Sequence, residues 1–275
     1  VRILIYTPVY GDYLPGCRAS VSGQIFSGDH VIDTDDPYPP PDHRNVLAKY
    51  LRAKAATLAG GYDALVTVEQ DMLLPAGAIE RLAAVEAGVV FGVYVLRHGS
   101  NVINAWRYDG DRNLGMSLSL YPRELARLRE RGEVVRVSGV GWGCTLIRRD
   151  VLAQAWLHDG GGTCPAGDIP FAQWCLHNGV RMMAHFGVLC GHVEEGRVLE
   201  VSEAIDMVKV EALQRVNVMS GEQTVGLEPG KRYVLAAAAV DDLVRAGYVR
   251  RIEIERAVEE PAVEHAVGTA QRRKK

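Results

Sequence analysis

Tyr62-Asp63-Ala64-Leu65-Val66-Thr67-Val68-Glu69-Gln70-Asp71-Met72 joins a strand-like run to a pair of acids. Gly60-Gly61 ahead of it is a turn signal that ends a helix. Leu65, Val66 and Val68 then make a short apolar, β-branched run of strand length. Two carboxylates, Glu69 and Asp71, stand immediately beyond it. In α/β proteins ligands collect at the carboxyl ends of strands. An acid-x-acid placed there can hold a hard divalent cation, which takes oxygen ligands and bridges phosphates. The same pair also reads as a solvated strand-to-helix turn, with a carboxylate capping the helix that starts near Pro75. The rest of the chain has to decide between the two.

A length of 275 residues accommodates one large α/β domain with a small appendage. Hydrophobic content of 48% and charged content of 24% are those of a globular protein with a sizeable core. A net charge of −3 argues against a protein that wraps nucleic acid. No apolar run is long enough to span a bilayer, and the first residues carry no signal-peptide pattern, so the expected location is cytoplasmic. The cysteines Cys17, Cys144, Cys164, Cys175 and Cys190 share no CxxC spacing and read as buried thiols rather than a disulfide frame or zinc site.

Ile3 to Tyr6 reads as a first buried strand, ending in the loop Thr7-Pro8-Val9-Tyr10-Gly11. That loop offers hydroxyl and backbone groups at the same sheet edge as Asp71, either for a nucleotide base and ribose or simply as a connection. A helix over Pro15–Gln24, a strand at His30–Asp33 and a Pro-rich surface loop follow. Asp42 then caps a helix in which Arg44, Asn45 and Lys49 occupy the first turns. A helix N-terminus with cations suits a phosphate, although ordinary exposed polar residues would look the same. Gly77–Ala87 reads as a helix, Val89–Val95 as a buried strand, Asn104–Tyr108 as an added antiparallel strand and Pro122–Arg131 as a charged surface helix.

Gly139, Gly141 and Gly143 alternate through Val137 to Ile147, which weakens a strand centre. They fit a place where backbone passes close to a ligand with Trp142 as a platform for a sugar ring, or a glycine-rich bend around a core indole. Asp168 opens a helix that Asn178-Gly179 ends, and it serves there as an N-cap or as a general base. Val180–Val188 gives a last strand, and His192 just past it is placed to complete a metal site or to be a plain core histidine. From about Val208 the composition changes to a small β-rich module, residues 208–258, followed by a basic tail, 259–275, expected to be disordered.

In order and spacing these stretches resemble the GT-A glycosyltransferases, in particular the family 2-like enzymes of bacteria and bacteriophages. The resemblance covers residues 1–207 and implies a mixed α/β, Rossmann-like fold with a mostly parallel sheet flanked by helices. Ile3-Leu4-Ile5-Tyr6-Thr7-Pro8 resembles the strand whose loop holds the base, and Arg44-Asn45 the Arg-Asn pair that precedes the metal strand. Glu69-Gln70-Asp71 stands where the family carries Asp-x-Asp. Gly139 to Arg149 is similar to its acceptor loop, and Asp168, Gly179 and His192 follow its closing pattern.

The resemblance implies sugar transfer from a nucleoside diphosphate sugar, UDP- or GDP-linked, to a carbohydrate or other hydroxyl acceptor. Asp71 and His192, with Glu69, would hold Mn2+ or Mg2+. Thr7, Pro8, Tyr10, Arg44, Asn45, Lys49, Glu69 and Gln70 would line the donor site. Gly141, Trp142 and Gly143 would line the acceptor site, and Asp168 would be the base of an inverting displacement. The chain departs from the family in having Gly167 where many relatives carry an acid before Asp168, and Glu69 where they carry aspartate. A nucleotidyltransferase would need a glycine-rich basic loop after the first strand, which Thr7-Pro8-Val9-Tyr10-Gly11 is not. A glycan-binding module without catalysis is the other alternative. The C-terminal module is expected to position an acceptor or to join copies of the chain.

Overall fold

The structure is a computed structural model describing residues 1–39, 42, 44–96, 102–110, 114–139, 141–155, 157, 167–201, 207–220, 223–236, 240 and 243–252. Cys164 and the basic tail lie outside the described residues. The chain opens with β1 (Arg2–Pro8), α1 (Pro15–Ser22), β2 (Ser27–Asp33), α2 (Arg44–Ala59) and β3 (Ala64–Val68). Next come β4 (Met72–Leu73), α3 (Ala78–Ala84), β5 (Val89–Val93), β6 (Trp106–Arg107), α4 (Pro122–Arg131) and β7 (Val134–Gly139). β8 (Cys144–Arg148), α5 (Arg149–Gln154), α6 (Asp168–His177), β9 (Met182–Leu189), β10 (Gly191–Glu194) and β11 (Arg197–Leu199) complete the larger part.

Eight strands form the central sheet in the order β2-β1-β3-β8-β5-β9-β7-β6. β1, β2, β3, β5, β6 and β9 run one way, and β7 and β8 oppose them. This is the mixed, mostly parallel sheet flanked by helices that the resemblance implied. The inner strands read as unbroken apolar runs because both faces are covered. Alternate residues still divide cleanly between them: Leu4, Tyr6, Leu65 and Phe91 join one core with α2, α4, α5 and α6. Ile3, Ile5, Val66 and Val90 join the other with α1 and α3.

Helix ends follow local chemistry. Asp42 Oδ1 accepts the Arg44 N–H at 2.9 Å at the start of α2. Gly61, at φ 68°, turns the chain into β3, and Gly179, at φ 69°, does the same after α6. β4, β10 and β11 were not legible as strands in the sequence. They form a three-stranded antiparallel sheet, β11-β10-β4, that matters more to the site than its size suggests.

The C-terminal part is β-rich, as expected. β12 (Met207–Ala212), β15 (Arg232–Ala236) and β16 (Val249–Arg251) make one antiparallel sheet, and β13 (Val216–Ser220) and β14 (Gln223–Leu227) pair as a hairpin. Val210, Ala212, Leu227, Leu235, Val240 and Val249 form a core of their own. Among the described residues no helix is long and apolar enough to cross a membrane.

Candidate functional site

Parallel pairing brings the ends of β1, β3 and β5 to one sheet edge, so Thr7–Tyr10, Glu69–Asp71 and Tyr94–Val95 become neighbours. β8 runs the opposite way with Cys144 opposite Val68, so the residues ahead of it, Gly141–Gly143, arrive at the same edge. The Glu69 N–H donates to the Gly143 carbonyl at 3.0 Å, joining the acidic turn to that loop.

His192 reaches this edge through the small sheet. It pairs with Met72 across β10 and β4, and the Val193 N–H donates to the Asp71 carbonyl at 2.8 Å. The imidazole is 3% exposed. Its Nδ1 lies 2.7 Å from the Val95 carbonyl, which can only accept, so Nδ1 carries the proton. In the neutral ring Nε2 then holds a lone pair. It is buried, has no hydrogen-bond partner among the described residues, and sits 3.6 Å from Asp71 Oδ2, too far for a hydrogen bond. A buried imidazole nitrogen oriented from behind by a carbonyl and set beside a carboxylate has the donor chemistry of a divalent-cation ligand. The residues therefore fit such an ion. Among the described residues no three His, Cys, Asp or Glu side chains gather into a complete cage, so Asp71 and His192 would hold it as a pair. Magnesium-type sites commonly take one or two protein ligands and complete their shell with substrate phosphates and water.

Glu69 does not join them. Its Oε1 accepts the Tyr50 hydroxyl at 3.0 Å, which ties it to α2. The residue is partly buried. Burial, with Asp71 next and Asp168 also contributing, pushes its carboxyl up to about 7, against the Tyr50 hydrogen bond and His192. Asp168 opens α6 behind the left-handed Gly167, with its Oδ1 accepting the Ile169 N–H at 2.8 Å. Its charge also helps, after burial and Glu69, to raise the Tyr94 phenol, so it belongs to the same neighbourhood.

Among the expected donor-site residues, Thr7 and Pro8 are buried and Tyr10 is open. Thr7 Oγ1 lies 3.0 Å from His30 Nε2, and the Tyr10 N–H donates to Gln70 Oε1 at 2.5 Å. Lys49 is corrected. It is 0% exposed, pairs with Asp36 at 2.7 Å, donates to the Val9 carbonyl and lies under the Tyr10 ring, so it braces the loop from inside. Asn45 is buried as well, and its side-chain amide binds both the N–H and the carbonyl of Tyr38. Arg44 is exposed, paired with Asp42 and stacked over Tyr38.

Trp142 is no open platform. It is 3% exposed, edge-on to Tyr50 at 4.1 Å between centroids and 5.9 Å from Phe171. The glycines have a packing reason as well. A Cβ at Gly139 would meet Trp106 at 2.8 Å, and at Gly141 the Tyr94 hydroxyl at 2.3 Å. At Gly143 it would meet the Tyr94 ring at 2.8 Å. Tyr50, Tyr94, the Val95 carbonyl and Asn104 were missed in the sequence. Apolar periodicity absorbed both tyrosines into the core, and a backbone carbonyl carries no sequence signal. A separate depression of about 590 Å3, lined by Asp63, Arg148, Arg149, Asp150 and Ala153, lies at the opposite edge of the sheet. Both arginines there are spent on main-chain carbonyls.

No protein-family model matches the chain, and no curated protein matches it. Among solved structures, A197 from STIV is similar with a TM-score of 0.51 and 18% identity, over 74% of this chain and 92% of that one. That likeness concerns the fold alone. GalNAc-T7 crystallised with UDP, GalNAc and Mn2+ gives a TM-score of 0.44 at 13% identity, over 70% of this chain and only 44% of its own length. A glycosyltransferase involved in the glycosylation of the major capsid of PBCV-1 gives 0.34 at 9% identity, over 66% and 81%. The chain carries a mixed α/β sheet with Glu69, Asp71 and His192 at its carboxyl edge and Asp168 at the start of α6.

Proposed function

We propose that the chain transfers a sugar from a nucleoside diphosphate sugar to an acceptor hydroxyl, in a single inverting displacement. The observation that carries the reading is the buried, unpartnered Nε2 of His192 beside Asp71, at the sheet edge where α/β proteins bind nucleotides. Asp71 and His192 would hold Mn2+ or Mg2+, which when bound would supply Lewis-acid stabilisation of the leaving diphosphate. The Thr7–Tyr10 loop, tied to Gln70, holds the nucleoside of a UDP- or GDP-sugar, and Glu69 faces the same groove. Asp168 takes the proton from the acceptor hydroxyl as its oxygen attacks the anomeric carbon, and the nucleoside diphosphate departs from the other side. The Gly141–Gly143 loop forms the acceptor side through its backbone, with Trp142 as its internal support. The C-terminal module presents a carbohydrate acceptor or joins a second copy.

Thermal unfolding with UDP, GDP, CDP and TDP, each with and without Mn2+, tests the site. A ligand that binds only the folded chain stabilises it by about 2.7 kcal/mol at a hundredfold excess over its Kd. The expected result is stabilisation by one nucleotide, dependent on Mn2+ and lost in Asp71→Ala. Absence of a cation-dependent rise with every nucleotide would overturn the reading.

A further inference from the structure

We propose that Tyr94 is a positioning residue: its ring sets the Gly141–Trp142–Gly143 loop against the His192 imidazole, so that the two halves of the site keep one geometry. Naming those halves acceptor and cation rests on the transferase reading, whereas the coupling rests on packing alone. Tyr94 is buried just past β5. Its main chain is fixed by Asn104, whose Oδ1 accepts the Tyr94 N–H at 2.9 Å and whose N–H donates to the Tyr94 carbonyl at 3.0 Å. Asn104 is itself fully buried and donates from Nδ2 to the Gly92 carbonyl at 3.3 Å. The ring therefore hangs from a rigid support.

On one side the Tyr94 hydroxyl accepts the Gly143 N–H at 3.2 Å. The loop lies so close that a Cβ at Gly141 would fall 2.3 Å from the hydroxyl oxygen and 3.3 Å from the nearest ring carbon. A Cβ at Gly143 would fall 2.8 Å and 2.9 Å from ring carbons as well as 2.9 Å from the hydroxyl oxygen, so removing the hydroxyl leaves its clash in place. On the other side Tyr94 meets His192 edge to face, with centroids 5.4 Å apart and planes at 87°. His192 is in turn bonded to the carbonyl of Val95, the next residue along. A ring pushed by the loop has to push the imidazole, because close-packed interiors transmit strain.

The contacts separate two substitutions. Gly141→Ala clashes with the hydroxyl, which Tyr94→Phe removes. Gly143→Ala clashes with ring carbons, which Tyr94→Phe keeps. The experiment follows the His192 ring resonance in 13C-histidine-labelled protein and measures Mn2+ affinity by calorimetry. It uses wild type, Tyr94→Phe, Gly141→Ala and each glycine variant combined with Tyr94→Phe. Gly141→Ala is expected to displace the His192 resonance and weaken Mn2+ binding about tenfold, as loss of a ligand's support does. Tyr94→Phe/Gly141→Ala is expected to return both readouts to the Tyr94→Phe values, and Tyr94→Phe/Gly143→Ala is not. A folded Gly141→Ala with an unmoved resonance, or a displacement that Tyr94→Phe leaves unrepaired, overturns the proposal. If Gly141→Ala alone does not fold, the double variant decides: recovery of the fold and the resonance supports the coupling, and failure overturns it. Should wild type bind no Mn2+, the metal reading falls, and the resonances still decide the role of Tyr94.

Discussion

Met72 and His192 are register partners across β4 and β10, and that pairing sets His192 Nε2 3.6 Å from Asp71 Oδ2. Asp71 is expected to carry cation affinity. Asp71→Asn keeps the shape of the side chain and removes its charge. It should weaken Mn2+ binding by tenfold or more in calorimetry while the unfolding midpoint of the cation-free chain changes little. Chelation of wild type should abolish nucleotide stabilisation to the same extent. Equal Mn2+ affinity in wild type and Asp71→Asn would remove Asp71 from the site.

Glu69 gives the cation-free protein a pH signature. Its carboxyl titrates near 7 in the folded chain against an ordinary 4.5, because burial and the neighbouring carboxylates oppose its charge. Between those values the folded chain keeps a proton that the unfolded chain has lost. Stability is therefore fully present below about pH 4.5, falls as pH rises and levels off above about 7. The span is at most roughly 3–3.5 kcal/mol. Urea unfolding of Glu69→Gln should lack this slope and exceed wild type in stability at pH 8.

Lys49 is expected to matter for stability. Lys49→Met leaves Asp36 and the Val9 carbonyl without their partner and should cost about 1–3 kcal/mol. The unfolding midpoint should drop by several degrees for a chain of this size. Nucleotide affinity should fall only through the loosened Tyr10 loop. An unchanged midpoint with a large loss of nucleotide binding would restore Lys49 as a phosphate ligand.

Asp168→Asn should separate chemistry from binding. Loss of a general base costs on the order of 10²–10⁴ in rate. Mn2+-dependent nucleotide stabilisation should persist, since Asp168 lies on α6 rather than among the cation ligands. Undiminished turnover would exclude Asp168 as the base.

The C-terminal module has its own apolar core, so a chain ending at residue 206 should still unfold cooperatively and bind nucleotide. Light scattering of both forms shows whether the module joins copies, and acceptor turnover shows whether it presents substrate. Unaltered mass and turnover together would leave it neither role.

Much of the site was legible because it follows strand ends. Apolar runs of strand length placed β1, β3, β5 and β9, and an α/β alternation of this kind has its ligand edge at their carboxyl ends. Glu69, Asp71, Asp168 and His192 were found that way and with the family resemblance. That Asn45 and Lys49 turn inward while Arg44 stays exposed was not legible, for a common reason. A polar side chain in the first turns of a helix looks the same in sequence whether it faces solvent or is folded under a loop.

Local composition was enough to place β1, β3, β5 and β9, because burial on both faces demands apolar runs, whereas β7 and α5 emerged only in the fold. The amino-acid sequence by itself also determined which carboxylates follow which strand. Tertiary structure alone decided that His192 faces Asp71, since β4 is two residues long and its pairing with β10 has no periodicity to read. Tertiary structure likewise turned Trp142 inward and made Tyr94 the reason for two glycines, because close approach of backbone to a ring is a relation between distant segments. Proton placement on His192 belongs to the same class: it rests on the Val95 carbonyl, which every residue carries and only the fold can aim.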